Sequence, residues 1–297
     1  MIPVVLLHHN EPTILLRTVS RIIDETIEPY KIFIIDNNSD DTSLNSKEFT
    51  SITKFNGVVV IKNKKNNWIY GFNLALKHPD WPKSKYYVFS DADVLVPKTN
   101  KTDCWLTKLV REMDAHRCIG KLGISLNLEN LKNNQKLVST LQQEESYFLG
   151  EKIGGNIIAP VDTTMAIYRN DYFIGKFIFR IGHQSLYRPY YYTCRTEPNF
   201  NAIHIGWDFY PGSKSQSEYT IDRLRKKAYA MSLMGTHTAP EILNKLTAIE
   251  KYGLIFIRDI VRLIHLFKVT ALNAVFTIKR LPRSTNEIQS RARVRIN

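Results

Sequence analysis

The stretch YYVFSDADVLVP, residues 86–97, determines how this chain is interpreted. An apolar run that breaks on a polar group is typical of a buried strand reaching its end. Here the break is Asp91-Ala92-Asp93, and side chains alternate along a strand, so the pattern predicts both carboxylates on one face. Two such carboxylates suit a hard divalent cation, Mg²⁺ or Mn²⁺, that in turn holds substrate phosphates. The alternative is that one aspartate caps a turn and the other is solvated.

Short apolar runs alternate with helical patterns around this stretch. Strands are predicted at 3–9, 30–41 (with a polar end), 57–63 and 86–96, and helices at 12–25, 68–78 and 103–116. This alternation predicts an α/β fold with a mostly parallel sheet covered by helices on both faces. Further along, strands are predicted at 121–128 and 162–170, an ordered binding loop at 183–217, and helices at 217–233 and 240–278, while 129–152 is expected to be helix or loop.

Polar clusters follow each of the first four predicted strands, at 8–11, 36–41, 63–67 and 91–93. Ligands of open α/β sheets bind beyond the carboxyl ends of the strands. The four clusters are therefore expected to converge on one ligand site.

Two of these positions indicate a nucleotide. Asp36 ends the run IFIID and can accept hydrogen bonds from a ribose or a base imide; the alternative is an Asx turn or a helix cap, which suits the later residues of its cluster better. Gly71 and Asn73 stand at a predicted helix start, where backbone N–H groups can meet phosphate or ribose oxygens. The alternative for Gly71 is close packing alone.

Together the motifs VVLLHHNEP, IFIIDNNSDDT, IYGFNLAL and VFSDADVLVP, in this order over about residues 2–100, resemble the nucleotide-sugar half of family-2 glycosyltransferases with the GT-A fold. The chain departs from the family at His8-His9, where an aromatic residue more often precedes the asparagine. The resemblance implies UDP as the favoured nucleotide and a divalent metal as cofactor. It implies nucleotide contacts from His8, Asn10, Glu11, Asp36, Asn38, Gly71, Asn73, Asp91 and Ala92. It implies metal ligands Asp91 and Asp93, with a late histidine as a third ligand, for which His237 is the candidate and His204 is also well placed; the alternative for either histidine is a structural role.

The second half is expected to supply the acceptor site and a catalytic base. An inverting transferase needs a carboxylate to deprotonate the acceptor hydroxyl. The candidates are Asp208, beside Trp207, and Asp162, which would otherwise contact the donor sugar; the alternative for Asp208 is a loop carboxylate bonded to backbone. Arg195 belongs to an aromatic and basic segment that would bind an acceptor, or alternatively form a packed aromatic subcore.

The charge of the chain limits its partners. The net charge is +13 and the pI about 9.5, which favours an anionic partner. Residues 252–280 have the pattern of an amphipathic helix, and residues 279–297 hold six basic residues against one glutamate, a combination that suits an anionic membrane surface. The alternative is that this helix packs on the catalytic domain. Three widely spaced cysteines with no CxxC pair fit a reduced setting, and we expect no membrane span.

The function expected from these observations is metal-dependent transfer of a sugar from a nucleoside-diphosphate sugar to a glycan or lipid-linked acceptor, with inversion, in bacterial cell-surface polysaccharide synthesis. The expected domains are a catalytic domain at 1–238, with a nucleotide-sugar half at 1–100 and an acceptor half at 101–238, and a helical appendage with a basic tail at 239–297. The expected location is the cytoplasmic face of the cell membrane. An inactive GT-A scaffold is one alternative, and a sugar-phosphate nucleotidyltransferase is another, although the loop HHNEPT lacks the glycines that it needs. Nucleic-acid binding is not expected, because no recognised motif accompanies the charge.

Overall fold

The structure is a computed structural model that describes residues 1–98, 103–132, 137–170, 192–209, 225, 228–229, 231–232, 238 and 240–280. The chain divides into two compact units. The first takes in residues 1–127 and 149–205, and the second takes in 128–148 and the described part of 206–284.

The first unit is built on a large sheet. Its strands are β1 (Ile2–His8), β2 (Tyr30–Asp36), β3 (Val58–Lys62), β4 (Tyr86–Asp91), β6 (Ile119–Gly123), β8 (Lys152–Ile153), β9 (Asn156–Ile158), β10 (Ala166–Arg169) and β11 (Tyr192–Arg195). Over the described residues their order is β3-β2-β1-β4-β10-β6-β11-β9-β8. Three short strands, β5 (Val94–Leu95), β7 (Ser125–Leu126) and β12 (Asn201–His204), form a second sheet in the order β5-β12-β7.

Strands β1 to β4 are parallel to one another, as the sequence predicted. Strands β1, β2 and β4 are almost wholly buried, which matches their apolar runs and requires cover on both faces. Strand β10 runs antiparallel to both β4 and β6, so the sheet is mixed. The observed α/β architecture therefore confirms the predicted fold class.

Helices of this unit follow the strands. They are α1 (Pro12–Glu25), α2 (Asp41–Leu44), α3 (Lys47–Thr53) and α4 (Trp105–Ala115). Helix α1 begins with a proline, which has no N–H to leave unsatisfied, and buries the stripe Ile14, Leu15, Thr18, Val19 and Ile22. The segment Trp68–Lys77, expected as the start of an α-helix, forms a 3₁₀ helix.

The predicted strand at 86–96 is interrupted. β4 ends at Asp91, Ala92 and Asp93 form a turn, and β5 starts at Val94. The argument that strand alternation puts the two aspartates on one face was therefore wrong, because the second lies in the turn. The turn is fixed by the Ala92 amide, which donates to the Leu7 carbonyl at 3.0 Å.

The second unit is helical where it is described. Helices α5 (Glu129–Lys132) and α6 (Val138–Ser146) occupy the segment expected as helix or loop, and a short helix, Pro240–Leu243, precedes a long helix, Ala248–Arg280. Ala228 and Ile242 form a small buried cluster with Leu246 and Leu254 packed against it. Among the described helices, none is long and apolar enough to cross a membrane. Of the segment predicted as a binding loop at 183–217, the structure describes residues 192–209, which contain the strands β11 and β12 and are therefore not a loop throughout. Of the helix predicted at 217–233, only residues 225, 228–229 and 231–232 are described.

Candidate functional site

The parallel register brings three predicted site residues to one edge of the sheet. His8 is paired with Asp36, and Leu7 with Asp91. Paired residues of a parallel sheet point to the same face, so Asp36 shares a face with His8, and Asp91 ends its strand on the other. A ligand that contacts both carboxylates must therefore lie across the strand ends.

The loops after β1 and β2 are joined by hydrogen bonds around Asp36. The Asp36 carboxylate, 1% exposed, accepts the Ser39 hydroxyl. The Ser39 oxygen also accepts the Asn10 amide at 2.9 Å, and the Asn10 side-chain oxygen accepts the Asp40 amide at 2.8 Å. Asn10 and Asn38 both adopt positive φ, at 58° and 66°, a conformation that asparagine tolerates better than most residues. These bonds hold the two loops in one arrangement above Asp36.

Gly71 is explained by close packing, the alternative raised from its sequence. Asn63 donates to the Asn37 side-chain oxygen at 2.7 Å, and this buried pair joins the loops after β2 and β3. A Cβ at Gly71 would lie 2.6 Å from the Asn37 oxygen and 2.8 Å from the Asn63 nitrogen. Both distances are shorter than carbon contacts allow, so only glycine fits against the pair. Asn73, two residues on, is partly buried.

Asp91 is held by one residue from a distant segment, Thr163. The Asp91 amide donates to the Thr163 carbonyl at 2.7 Å, and the Thr163 hydroxyl donates to Asp91 Oδ2. Both the backbone and one carboxylate oxygen of Asp91 are thus oriented by the same neighbour. Asp162, the preceding residue and a candidate site residue, is exposed.

Asp93 has a carboxylate oxygen that no described residue hydrogen-bonds. Its Oδ1 atom is buried and accepts no hydrogen bond from the residues that the structure describes. Its Oδ2 atom lies 4.0 Å from His204 Nε2. A buried carboxylate oxygen without a donor costs desolvation energy unless a ligand or cation supplies the missing partner. In the described part of the chain, no group of three or more His, Cys, Asp or Glu side chains is arranged to hold a metal ion. Mg²⁺ commonly uses only one or two carboxylates together with substrate phosphates, so the Asp91–Asp93 pair fits such an ion.

The remaining candidates are Asp208, His237, Glu11 and Arg195. Asp208 belongs to the 3₁₀ helix Ile205–Phe209, but its side chain lies outside the described part, and so does His237. Glu11 occupies the N-cap position of α1 without capping it through its side chain. Arg195 was expected to bind an acceptor, and that was wrong: it is 2% exposed within β11, where its Nε donates to the Pro160 carbonyl at 2.7 Å.

His8 is a buried histidine whose strand neighbour is Asp36. It is 2% exposed, its ring lies 5.7 Å from that of Phe49, and neither ring nitrogen has a hydrogen-bond partner among the described residues. Burial lowers its pKa to about 4, against a smaller opposing attraction from Asp36. At neutral pH this histidine is a neutral group with one donor and one acceptor nitrogen.

The sequence model of glycosyl transferase family 2 matches the chain over residues 4–175. This range contains Asp36, Asp91 and Asp93. The chain belongs to glycosyl transferase family 2. It is therefore a glycosyltransferase by family, as the order of its motifs indicated.

The chain resembles several solved structures at low sequence identity. A mannosyltransferase from Pyrobaculum calidifontis, in complex with GDP-Man and Mn²⁺, is 14% identical, with a TM-score of 0.50 over 97% of this chain and 82% of its own. GalNAc-T7 with UDP, GalNAc and Mn²⁺ is 18% identical, with a TM-score of 0.49 over 81% of this chain and 52% of its own. S. aureus TarS 1–349 with UDP-GlcNAc is also 18% identical, with a TM-score of 0.48 over 99% and 79%. No curated protein sequence matches this glycosyltransferase.

Three residues of the site region had no signal in the sequence. Thr163 was one of two threonines in a predicted strand, and Lys121 stood at the start of another. Asn37 was one polar residue among six in its cluster. Each contacts a distant segment: Thr163 bonds to Asp91, Lys121 to the Val161 carbonyl, and Asn37 to Asn63. No local sequence pattern reveals such contacts.

The pKa of His8 predicts a loss of stability in mild acid. Its folded-state pKa lies below the unfolded value of 6.5, so the unfolded chain binds more protons between the two values, and stability is lost as the pH is lowered through that window. Urea unfolding should show a loss of about 2 kcal/mol between pH 7 and 5 from this group. The variant His8→Gln should lack that part of the loss, whereas His9→Gln, at the exposed neighbour, should retain it. Equal pH dependence in all three proteins would contradict the assignment.

Proposed function

We propose that this glycosyltransferase moves a sugar from a nucleoside-diphosphate sugar, with UDP favoured, to a glycan or lipid-linked acceptor, using Mn²⁺ or Mg²⁺. The observation that carries the proposal is the strand-end group: Asp36 and Asp91 at one edge of the sheet, with the buried, unpartnered oxygen of Asp93 in the adjoining turn. The structures bound to GDP-Man or UDP with Mn²⁺ support the same class of donor and ion.

The nucleoside end of the donor is assigned to the loops after β1 and β2. Asp36 accepts from the ribose or the base imide, while Asn10, Glu11 and Asn38 line the loops that its hydrogen bonds hold. His8 is neutral and has no hydrogen-bond partner among the described residues on either nitrogen, so it is suited to a polar base edge and not to a phosphate. Gly71, Asn73 and Ala92 complete the proposed nucleotide contacts.

The ion is assigned to Asp91 and Asp93, with His237 as a third ligand. When bound, a divalent cation neutralises charge on the departing diphosphate. Asp93 supplies the buried oxygen that has no donor among the described residues, and Thr163 keeps Asp91 Oδ2 oriented.

The chemical step is assigned to Asp208. Its carboxylate takes the proton of the acceptor hydroxyl as that oxygen bonds to the anomeric carbon, and the bond to the diphosphate oxygen breaks on the opposite face with its electron pair leaving on the nucleotide. The product has inverted configuration. Asp162, exposed and adjacent in sequence to Thr163, is assigned to the donor sugar.

Nucleotide titration tests the donor half directly. Isothermal titration should show UDP binding that depends on Mn²⁺ and exceeds binding of GDP and CMP. Asp93→Asn should abolish the manganese dependence, because the amide loses the charge that holds the ion. Asp103→Asn, at an exposed carboxylate paired with Arg111, is the matched control and should bind as the wild type does. Absence of nucleotide binding under every condition would contradict the transferase mechanism and favour an inactive scaffold.

Separate effects are expected for the two candidate acids. Asp208→Asn should lower kcat by about 10²–10⁴-fold with UDP affinity unchanged, the range for loss of a general base. Asp162→Asn should raise KM for the donor more than it lowers kcat. Steady-state kinetics with donor and acceptor varied in turn measure both. The reverse pattern would assign the base to Asp162.

An anionic membrane is the proposed location of the acceptor. The long helix exposes a stripe at a spacing of three and four residues: Ile249, Tyr252, Phe256, Ile260, Leu263 and Phe267. Phe256 and Phe267 are 66% and 69% exposed. An apolar stripe of this kind beside basic residues binds the interface of a bilayer that carries negative charge. The basic residues of 279–297 provide the charge, and the cytoplasmic face of the cell membrane, where lipid-linked glycan precursors are found, is the proposed site.

Vesicle binding tests the stripe. The full chain should sediment with phosphatidylglycerol-containing vesicles, more weakly at high salt, and not with phosphatidylcholine alone. The double variant Phe256→Glu/Phe267→Glu should weaken binding at least about tenfold, since each buried phenylalanine contributes about 1.5–3 kcal/mol. Leu149→Glu, at an apolar residue 88% exposed outside the helix, controls for lost hydrophobicity. If the double variant dissociates a dimer without changing vesicle binding, the stripe is a contact between copies and the membrane proposal is wrong.

A further inference from the structure

Lys121 is a basic side chain that the proposed reaction does not use. It lies within β6 and is fully buried, which is rare for lysine without compensation. Its Nζ donates to the carbonyl of Val161 at 2.6 Å and to that of Asp162 at 3.2 Å. The ammonium also lies 5.1 Å from the centre of the Tyr168 ring.

A second buried cation holds the same segment. Arg195, in the neighbouring strand β11, is paired with Gly123 of β6, and its Nε donates to the Pro160 carbonyl at 2.7 Å. Side chains from two adjacent strands thus bind three successive carbonyls, at residues 160, 161 and 162. The segment also presses on the sheet: a Cβ at Gly123 would lie 2.4 Å from a Val161 methyl.

This segment leads directly into Thr163, where the sheet ladder is irregular. Continuing the pairing of Ala166 with Phe89 would oppose Asp91 to Thr164, yet the Asp91 amide bonds to the carbonyl of Thr163. Residues 163–165 are bent and outside β10. The position of Thr163 is therefore not set by regular strand pairing and needs another anchor.

We propose that Lys121 is a positioning residue of the site: together with Arg195 it fixes the backbone at 160–162 and so determines where Thr163 holds Asp91. The effect on ligand binding rests on the proposed nucleotide and metal function, whereas the effect on Asp91 does not. Outer partners of metal ligands typically change metal affinity by about 10–100-fold when removed.

The two hydrogen bonds from Lys121 to the carbonyls at 161 and 162 do not require its charge. Burial lowers its pKa well below the usual value, and Arg195 adds to that effect while Asp162 opposes it. A neutral amine retains two N–H donors, the number that the two carbonyls at 161 and 162 use. Removing the donors, rather than the charge, is therefore the informative change.

The first readout is amide exchange, which needs no ligand. In Lys121→Met, which keeps the length of the side chain and removes its donors, the Asp91 amide should exchange with solvent at least about tenfold faster than in the wild type. Arg169→Met is the matched control. Arg169 is also buried and donates to the carbonyls of Ile119, Met113 and His116, but it is paired with Tyr86 at the opposite end of β4. It should lose stability in urea without faster exchange at Asp91.

The second readout is manganese affinity at fixed UDP, followed from the signal of free Mn²⁺. Lys121→Met and Thr163→Val should each lower the manganese affinity about tenfold, whereas Thr163→Ser, which keeps the hydroxyl, should have the affinity of the wild type. The double variant Lys121→Met/Thr163→Val should bind manganese no more weakly than the single variant that binds it less well. Arg169→Met should stay near the wild type.

Normal Asp91 exchange and normal manganese affinity in folded Lys121→Met would overturn the proposal. If Lys121→Met does not fold, the same amide-exchange measurement is made on Arg195→Met and Thr163→Val. Unchanged exchange at Asp91 in Arg195→Met would then overturn the proposal. A wild type that binds no Mn²⁺–UDP contradicts the proposed function alone, because the exchange comparison still decides the role of Lys121.

Discussion

The parallel register of β1 with its two neighbours is the constraint on which the site depends. Pairing of His8 with Asp36 and of Leu7 with Asp91 ends the strands at nearly the same level, so the loops that follow them open at one edge. A slip of one residue would turn every side chain of the slipped strand to the other face. Because the faces of these strands are apolar and buried, such a slip would expose the core. The packing of Val4 to Leu6 therefore determines where Asp91 can be.

The sequence predicted this half of the molecule well because its signals are local. Buried parallel strands appear as apolar runs, and the polar residue that ends each run marks the edge where ligands bind. The parallel strands β1 to β4 confirm the predicted strands, and the family match over residues 4–175 confirms the resemblance, while the ligand edge stays a prediction. What could not be predicted depends on long-range pairing. The antiparallel direction of β10, the turn at Ala92 and the burial of Arg195 are all decided by partners distant in sequence.

Burial lowers the pKa of two ionisable groups of this unit, which differ in the hydrogen bonds that they make. His8 is surrounded by β1, β2 and Phe49 with no described hydrogen-bond partner, and its pKa falls to about 4. Lys121 is buried more completely, yet backbone carbonyls meet its donors. Buried polar groups are costly unless they are satisfied from within the protein or by a ligand. His8 and the Asp93 oxygen are of the second kind, and Lys121 is of the first.

The location of the buried cations follows from where the backbone lacks other support. Within β10, ladder hydrogen bonds to β4 and β6 hold Ala166 to Tyr168. Residues 160–163 lie outside that ladder, and the carbonyls of residues 160 to 162 accept from Arg195 and Lys121 instead, so that the buried residue Val161 would lose a donor to its carbonyl if Lys121 were absent. A lysine can reach such carbonyls from the middle of a strand because its stem packs as an apolar chain while its amine donates at the tip. The same two side chains thus satisfy the backbone and set the approach of Thr163 to Asp91. The fold and the site share these contacts, which is why a stability measurement alone cannot separate them and a measurement at Asp91 can.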